Sequence, residues 1–209
     1  MIGVRNGARS CARLAAVGAH VPERVVTNAE MAAVVDTSDE WIATRTGIRE
    51  RRFAGPEEAS SDLGVIAAQR ILAAADLAPD ELDMIITPTA SPDHIFPSTA
   101  AIIGERIGAR GAAAFDLSAA CTGFIYGLAM ATGMVETGLA RHVLVLGAET
   151  LTRVTDQTDR DTCVLFGDGA AGALISAAAE DEATGFLGFE LGADGSGGPD
   201  LILPAGGSR

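Results

Sequence analysis

The 209-residue chain is 48% hydrophobic and 21% charged, a balance suited to a buried core rather than to a disordered polymer. Its net charge of −13 argues against nucleic acid as a bulk partner, since phosphate binding needs positive surface. All fifteen basic residues are Arg, which removes P-loop phosphate chemistry and Schiff-base catalysis, both of which need Lys. Three dispersed Cys without CxxC spacing (Cys11, Cys121, Cys163) and three His (His20, His94, His142) suggest neither a disulfide framework nor a zinc or other metal site. Aromatics are only 4%, so Ala, Val, Leu and Ile must do most of the packing.

Residues 1–10 read as a loose extension, with Arg5, Arg9 and Arg13 around a weakly apolar stretch that lacks the continuous apolar region of a signal peptide. No apolar run approaches the roughly 18 residues of a membrane span, so a cytoplasmic setting is expected. Leu14–Gly18 predicts a strand ending before Pro22. Thr27-Asn28-Ala29-Glu30 has capping-box spacing and predicts a helix over roughly 28–35. Ser38-Asp39-Glu40 opens another helix, with acids where the dipole favours them and Gly47 as its stop.

From Ser61, the positions Leu63, Ile66, Ala67, Ile71 and Ala74 recur at helical spacing. Met84–Thr87 predicts a buried strand, Ser98 caps a helix through about Ile107, and Ala112–Leu117 predicts a strand. Thr122–Glu136 predicts a long helix of small residues, and Val143–Leu146 a strand. Val164-Leu165-Phe166 and Ala170–Ser176 predict two more strands joined at Gly167-Asp168-Gly169. Strands alternating with helices imply an α/β fold with a mixed, mostly parallel sheet flanked by helices. The Gly-rich tail from Gly192 to Arg209 reads as a segment leading elsewhere.

The chemistry concentrates at Phe115-Asp116-Leu117-Ser118-Ala119-Ala120-Cys121-Thr122-Gly123-Phe124. Small residues let a strand turn sharply into a helix and leave room for a substrate beside the sulfur. A Cys at a helix N-terminus meets the positive end of the dipole and free amides, which favour a reactive thiolate and can polarise a thioester carbonyl. On this local pattern alone, a buried structural Cys packed among alanines fits equally well. Cys163, in a predicted apolar strand without activating context, reads as structural. Gly167-x-Gly169-x-x-Gly172 matches a dinucleotide fingerprint and raises an NAD-dependent oxidoreductase as a remote alternative. A genuine fingerprint lies at the first strand-to-helix turn and opens a helix, and this one precedes a predicted strand.

Taken together, several motifs resemble the N-terminal portion of β-ketoacyl-acyl-carrier-protein synthase III. They are Asp36-Thr37-Ser38-Asp39-Glu40-Trp41-Ile42, Arg45-Thr46-Gly47-Ile48-Arg49-Glu50-Arg51, Phe96-Pro97-Ser98, Ala119–Phe124, Asp159-Arg160 and Phe166-Gly167-Asp168-Gly169-Ala170. The resemblance implies a thiolase-like fold, one βαβαβαββ half of a five-layer αβαβα architecture. Its implied divisions are an extension over 1–10, a nucleophile domain over 11–180, and the start of a second half over 181–209.

It further implies a fatty-acid-initiating acyltransferase: Cys121 takes an acyl group from a short acyl-CoA, then malonyl-acyl-carrier protein is decarboxylated and condensed with it. Neither metal nor redox cofactor is implied, and a homodimer is. Trp41 and Arg160 match residues that stack on the CoA adenine, Thr37 one that hydrogen-bonds near the base, and Arg45 one suited to the phosphates. Phe96 matches a residue reaching across the dimer toward the acyl pocket. The family's catalytic His and Asn belong to the second half, most of which this sequence does not include, and His94 reads as a loop or interface residue. Related readings are a polyketide-priming ketosynthase and a non-catalytic thiolase-fold partner subunit. Arg49, Arg51 and Arg52 are candidates for a basic patch that docks an acidic carrier protein.

Overall fold

The structure, a computed structural model, describes residues 2–5, 12–179 and 185–208. Among the described residues nine strands form: β1 (Ile2–Arg5), β2 (Ala12–His20), β3 (Arg24–Thr27), β4 (Glu50–Phe53), β5 (Met84–Pro88), β6 (Ala113–Leu117), β7 (His142–Thr150), β8 (Asp168–Ala177) and β9 (Gly188–Leu191). The helices are α1 (Asn28–Ala32), α2 (Asp39–Thr46), α3 (Ser60–Ala75), α4 (Thr99–Ile107), α5 (Gly123–Glu136) and α6 (Arg160–Cys163).

A five-stranded sheet in the order β2-β8-β7-β5-β6 is the scaffold. β5 pairs in parallel with β6 and β7, while β8 pairs antiparallel with β7 and β2, so the sheet is mixed and its parallel part lies at one side. Strands buried on both faces read as unbroken apolar runs, and β7 shows why. Leu144 and Leu146 face a core made with α3 and α4, whereas Val143 and Val145 face a second core made with α5. The repeat that sets α3 also holds: Leu63, Ala67, Ala68 and Ile71 are completely buried, while Ala74, at its end, is exposed.

Helix ends follow the predicted chemistry. Thr27 N donates to Glu30 Oε2 (2.8 Å) while Thr27 Oγ1 accepts from Glu30 N (3.3 Å), completing the capping box of α1. Ser38 Oγ accepts from Trp41 N at 3.0 Å, and α2 stops at Gly47, whose φ of 75° suits a residue without Cβ.

Several segments differ from expectation. α1 ends at Ala32 rather than near 35, ahead of the β-branched pair Val34-Val35. Within the expected loose extension, Ile2–Arg5 is a strand that pairs antiparallel with β9, itself not anticipated in the Gly-rich tail. β3 and β4 pair antiparallel across the intervening α1 and α2; both are only four residues long, and β4 carries Glu50, Arg51 and Arg52, a charge run that does not read as a strand.

Val164-Leu165-Phe166 is not a strand. It is the turn that leaves α6, apolar because Val164 packs into a small core with Val26, Met31, Ile42 and Cys163. Three apolar residues cannot by themselves separate strand from helix end. With that strand gone, the Gly167–Gly169 turn between strands also disappears: Gly169 and Gly172 lie inside β8, where no helix follows, and the dinucleotide fingerprint fails. Among the described residues no helix is long and apolar enough to cross a membrane. Cys11 and Arg9 lie outside the described residues.

Candidate active site

Parallel strands deliver their C-terminal ends to one edge of a sheet, where ligands of open α/β sheets commonly bind. Here β5, β6 and β7 end at Pro88, Leu117 and Thr150, and the chain leaving β6 reaches Cys121 four residues later. The turn is tight and strained. Ala120 has φ 44°, a left-handed conformation costing about 1–3 kcal/mol for a residue with Cβ. Residues Ala120–Thr122 form one 3-10 turn, closed by Thr122 Oγ1 donating to Ala119 O at 2.9 Å, and α5 follows at once. Cys121 is exposed at the head of that helix, so the structural alternative of a thiol packed among alanines fails.

Close packing beneath the turn holds α5 against the sheet. A Cβ added at Gly127 would lie 2.8 Å from Val145 Cγ1, and one at Gly123 would lie 3.0 Å from Pro88 Cβ. Neither glycine can be enlarged without displacing the helix that starts behind the sulfur.

Acidic side chains that the motif reading did not single out pin the loops around the turn. Asp116, on β6, accepts from the first amides of α4, Thr99 N (2.7 Å) and Ala100 N (2.8 Å). Glu149, near the end of β7, accepts from Ala90 N (2.8 Å), Ser91 N (3.1 Å) and Ser91 Oγ. Asp93 accepts from Ser61 N (2.9 Å) and Ser61 Oγ (2.7 Å). Between these anchors lies the segment bearing Phe96, which is 84% exposed beside the equally open Ile95. An acid inside an apolar strand, as in Phe115-Asp116-Leu117, was the available signal, because a part-buried carboxylate needs donors.

A second cluster forms where α2 meets α6. The guanidinium carbon of Arg45 lies 4.5 Å from the centre of the Trp41 ring and that of Arg160 lies 4.9 Å from it, both cation–π distances. Arg160 also donates to Asp36 O at 3.3 Å. Thr37 Oγ1 is buried, and no hydrogen-bond partner is found for it among the described residues. Trp41 and Arg45 of α2, Arg160 of α6 and Thr37 just ahead of the α2 cap thus come from two stretches of the chain, while Cys121 and Phe96 come from other segments.

The proposed basic patch needs correction. Arg51 is only 6% exposed, and Arg52 donates to Pro22 O (3.1 Å) and Glu23 O (3.4 Å); only Arg49 is a freely exposed member. Cys163 is the last residue of α6 rather than part of a strand, and burial pushes its thiol pKa up, with Asp159 adding to the effect.

The comparisons bear on the whole arrangement. The family model described as 3-Oxoacyl-[acyl-carrier-protein (ACP)] synthase III matches residues 115–195. The β-ketoacyl-[acyl-carrier-protein] synthase III of Caldanaerobacter subterraneus subsp. tengcongensis is 54% identical over 203 residues, which are 95% of this chain and 61% of that protein. The crystal structure of the corresponding synthase III from Thermus thermophilus superposes with a TM-score of 0.87 at 47% identity, over 94% of this chain and 60% of that one. The priming β-ketosynthase of the R1128 polyketide pathway gives 0.79 at 41% identity, over 84% of this chain and 52% of its own. This chain therefore spans about three fifths of the length of the curated relative named here. In sequence over most of its length, and in its mixed, helix-flanked sheet, the chain is thus similar to β-ketoacyl-acyl-carrier-protein synthase III.

Proposed function

We propose that this chain supplies the acyl-accepting part of a β-ketoacyl-acyl-carrier-protein synthase III, with Cys121 as the nucleophile and acyl-CoA as the donor. The observation that carries the reading is the position of Cys121: exposed, after a strained Ala120, at the head of α5 and at the C-terminal edge of the parallel strands.

The sulfur of Cys121 attacks the thioester carbonyl, a new C–S bond forms, and the bond to CoA breaks. CoA leaves as its thiol, carrying the proton that Cys121 gives up. Amides at the start of α5 are suited to the oxyanion that develops on the carbonyl oxygen. A sulfur nucleophile serves both halves of such a reaction, because a thioester is formed readily and surrendered readily to the next nucleophile. In the full reaction that nucleophile is the carbanion left when malonyl-acyl-carrier protein loses CO2.

Trp41 and Arg160 supply the two faces of a slot for the CoA adenine, with Thr37 Oγ1 the unsatisfied polar atom beside it and Arg45 a cation for the phosphates. A base sandwiched between two planes needs about twice one stacking distance. Arg160, now 4.9 Å from the indole centre, swings outward to admit it. A second copy of the chain completes the reading: the exposed Phe96 reaches toward that copy's acyl pocket and favours short acyl groups.

The test is a single turnover. Incubation with acetyl-CoA is expected to release free CoA in step with acetyl transfer to protein, and Cys121→Ala is expected to release none. Equal release from both proteins overturns the assignment. Use of a long acyl-CoA as readily as acetyl-CoA overturns the role given to Phe96.

A further inference from the structure

Arg51 is the charged residue that the site just described leaves unused. It sits in β4 with 6% of its surface exposed, beside the equally buried Cys163. Its acceptors are all uncharged oxygens. Nη1 donates to Val26 O at 3.2 Å; Nη2 donates to Asn28 Oδ1 at 2.7 Å and to Val164 O at 3.2 Å. Its Nε is buried, and no partner is found for it among the described residues. A cation buried this way is a poor stabiliser, because an apolar side chain would fill the same space without the desolvation cost. What a guanidinium supplies instead is direction: a rigid planar fork that fixes several acceptors relative to one another.

The acceptors it fixes lead to the two sides of the Trp41 slot. Asn28, itself 1% exposed, passes the connection on through its Nδ2, which donates to Asp39 Oδ1 and to Ile48 O, both at 2.8 Å. Asp39 opens α2 and Ile48 follows its Gly47 cap, so one amide grips both ends of the helix that carries Trp41 and Arg45. On the other side, Val164 is the C-cap residue of α6, the helix that begins with Arg160. The same Nη2 therefore reaches the mount of Trp41 through Asn28 and bonds the mount of Arg160 directly, across 23 and 113 residues of sequence.

We propose that Arg51 is a positioning residue that sets the separation of α2 and α6, and with it the width of the slot between Trp41 and Arg160. The proposal rests on the reading of that slot as the CoA site. It requires no contact between Arg51 and the ligand. Its failure would narrow or splay the slot and weaken binding of the nucleotide end of CoA, with little effect on transfer once the donor is bound.

The experiment uses the chain's single tryptophan, Trp41, as its reporter. CoA is titrated against Trp41 fluorescence in the unsubstituted chain and in Arg51→Met, which keeps side-chain bulk but not the fork. The expected result is a Kd for CoA raised about tenfold. The KM for acetyl-CoA in Cys121 acetylation rises in parallel, while the saturated rate falls by less than about threefold. Cys163 is expected to stay unreactive to iodoacetamide in the variant. An unchanged Kd overturns the proposal, as does a raised Kd accompanied by alkylation of Cys163, which reports collapse of the surrounding core.

Asn28→Ala gives a second route, since it leaves Arg51 in place and cuts only the branch to α2; about threefold weaker binding is expected, and none overturns the proposal. If CoA leaves the emission of the unsubstituted chain unchanged, the CoA-site reading itself falls. The spacing claim is then read from the ligand-free spectra, where Arg51→Met must alter the emission of the indole stacked by two guanidiniums, and identical spectra refute it.

Discussion

The Cys121 turn and the Trp41–Arg160 cluster are held in opposite ways. Backbone strain and the packing of small residues place Cys121: Ala120 at φ 44°, and Gly123 and Gly127 with no room for a side chain. Trp41 and Arg160 are placed by a buried polar relay through Arg51 and Asn28 that joins segments far apart in the chain. A thiol set by rigid backbone has one fixed position, which suits the acyl-accepting role proposed for Cys121. A slot set by side-chain hydrogen bonds can open around a base, and Arg160 must move for one to enter.

Substitutions should separate the two regions. The largest effect is expected from Cys121→Ala, which abolishes acyl transfer while leaving Trp41 quenching by CoA intact. Next is Trp41→Ala, which removes one stacking face and weakens CoA binding about 10- to 100-fold by isothermal calorimetry, with Cys121 still open to iodoacetamide. Gly127→Val drives a Cβ to 2.8 Å from Val145 Cγ1 and should cost about 1–3 kcal/mol in thermal unfolding, together with slower acylation. A stable Gly127→Val protein with unaltered acylation would break the claim that packing positions the turn.

Smaller still is Thr27→Ala. It deletes the cap of α1, next to Asn28, at a cost of about 1 kcal/mol and with little effect on Cys121. Hydrogen bonds from Thr27 also hold the Glu30 carboxyl below its usual range. A depressed carboxylate stabilises the fold above its unfolded pKa, about 4.3, and that contribution fades as pH falls through the lower folded value. Thr27→Ala keeps the backbone bond to Glu30 and loses only the hydroxyl's bond to it, so the gap between the two unfolding curves should narrow without closing as the medium is acidified below pH ~4.

The same division explains what was legible in the sequence. The run from Phe115 to Phe124 is local, so strand, turn, thiol and helix could be read in order, and the capping box at Thr27 and the helix start at Ser38 were equally readable. That strands and helices alternate to build one helix-flanked sheet was legible, whereas the strand order and the antiparallel side of the sheet were not. Charge misled the reading at Arg51. A run of arginines ordinarily faces solvent, and only the long-range pairing of β3 with β4 turns one of them inward onto Asn28 and Val164. Val164–Phe166 misled it for the converse reason, an apolar triplet of which only Val164 is buried, and by a helix end instead of by a sheet. Trp41, Arg45 and Arg160 were identified through family motifs; that two guanidiniums already stack on one indole required coordinates.

The most direct test is peptide mapping by mass spectrometry after brief exposure to acetyl-CoA at neutral pH. An acetyl group on the peptide containing Cys121, with the peptide containing Cys163 unmodified, is the predicted outcome. Acetyl spread equally over both thiols, or found only away from Cys121, would contradict the account.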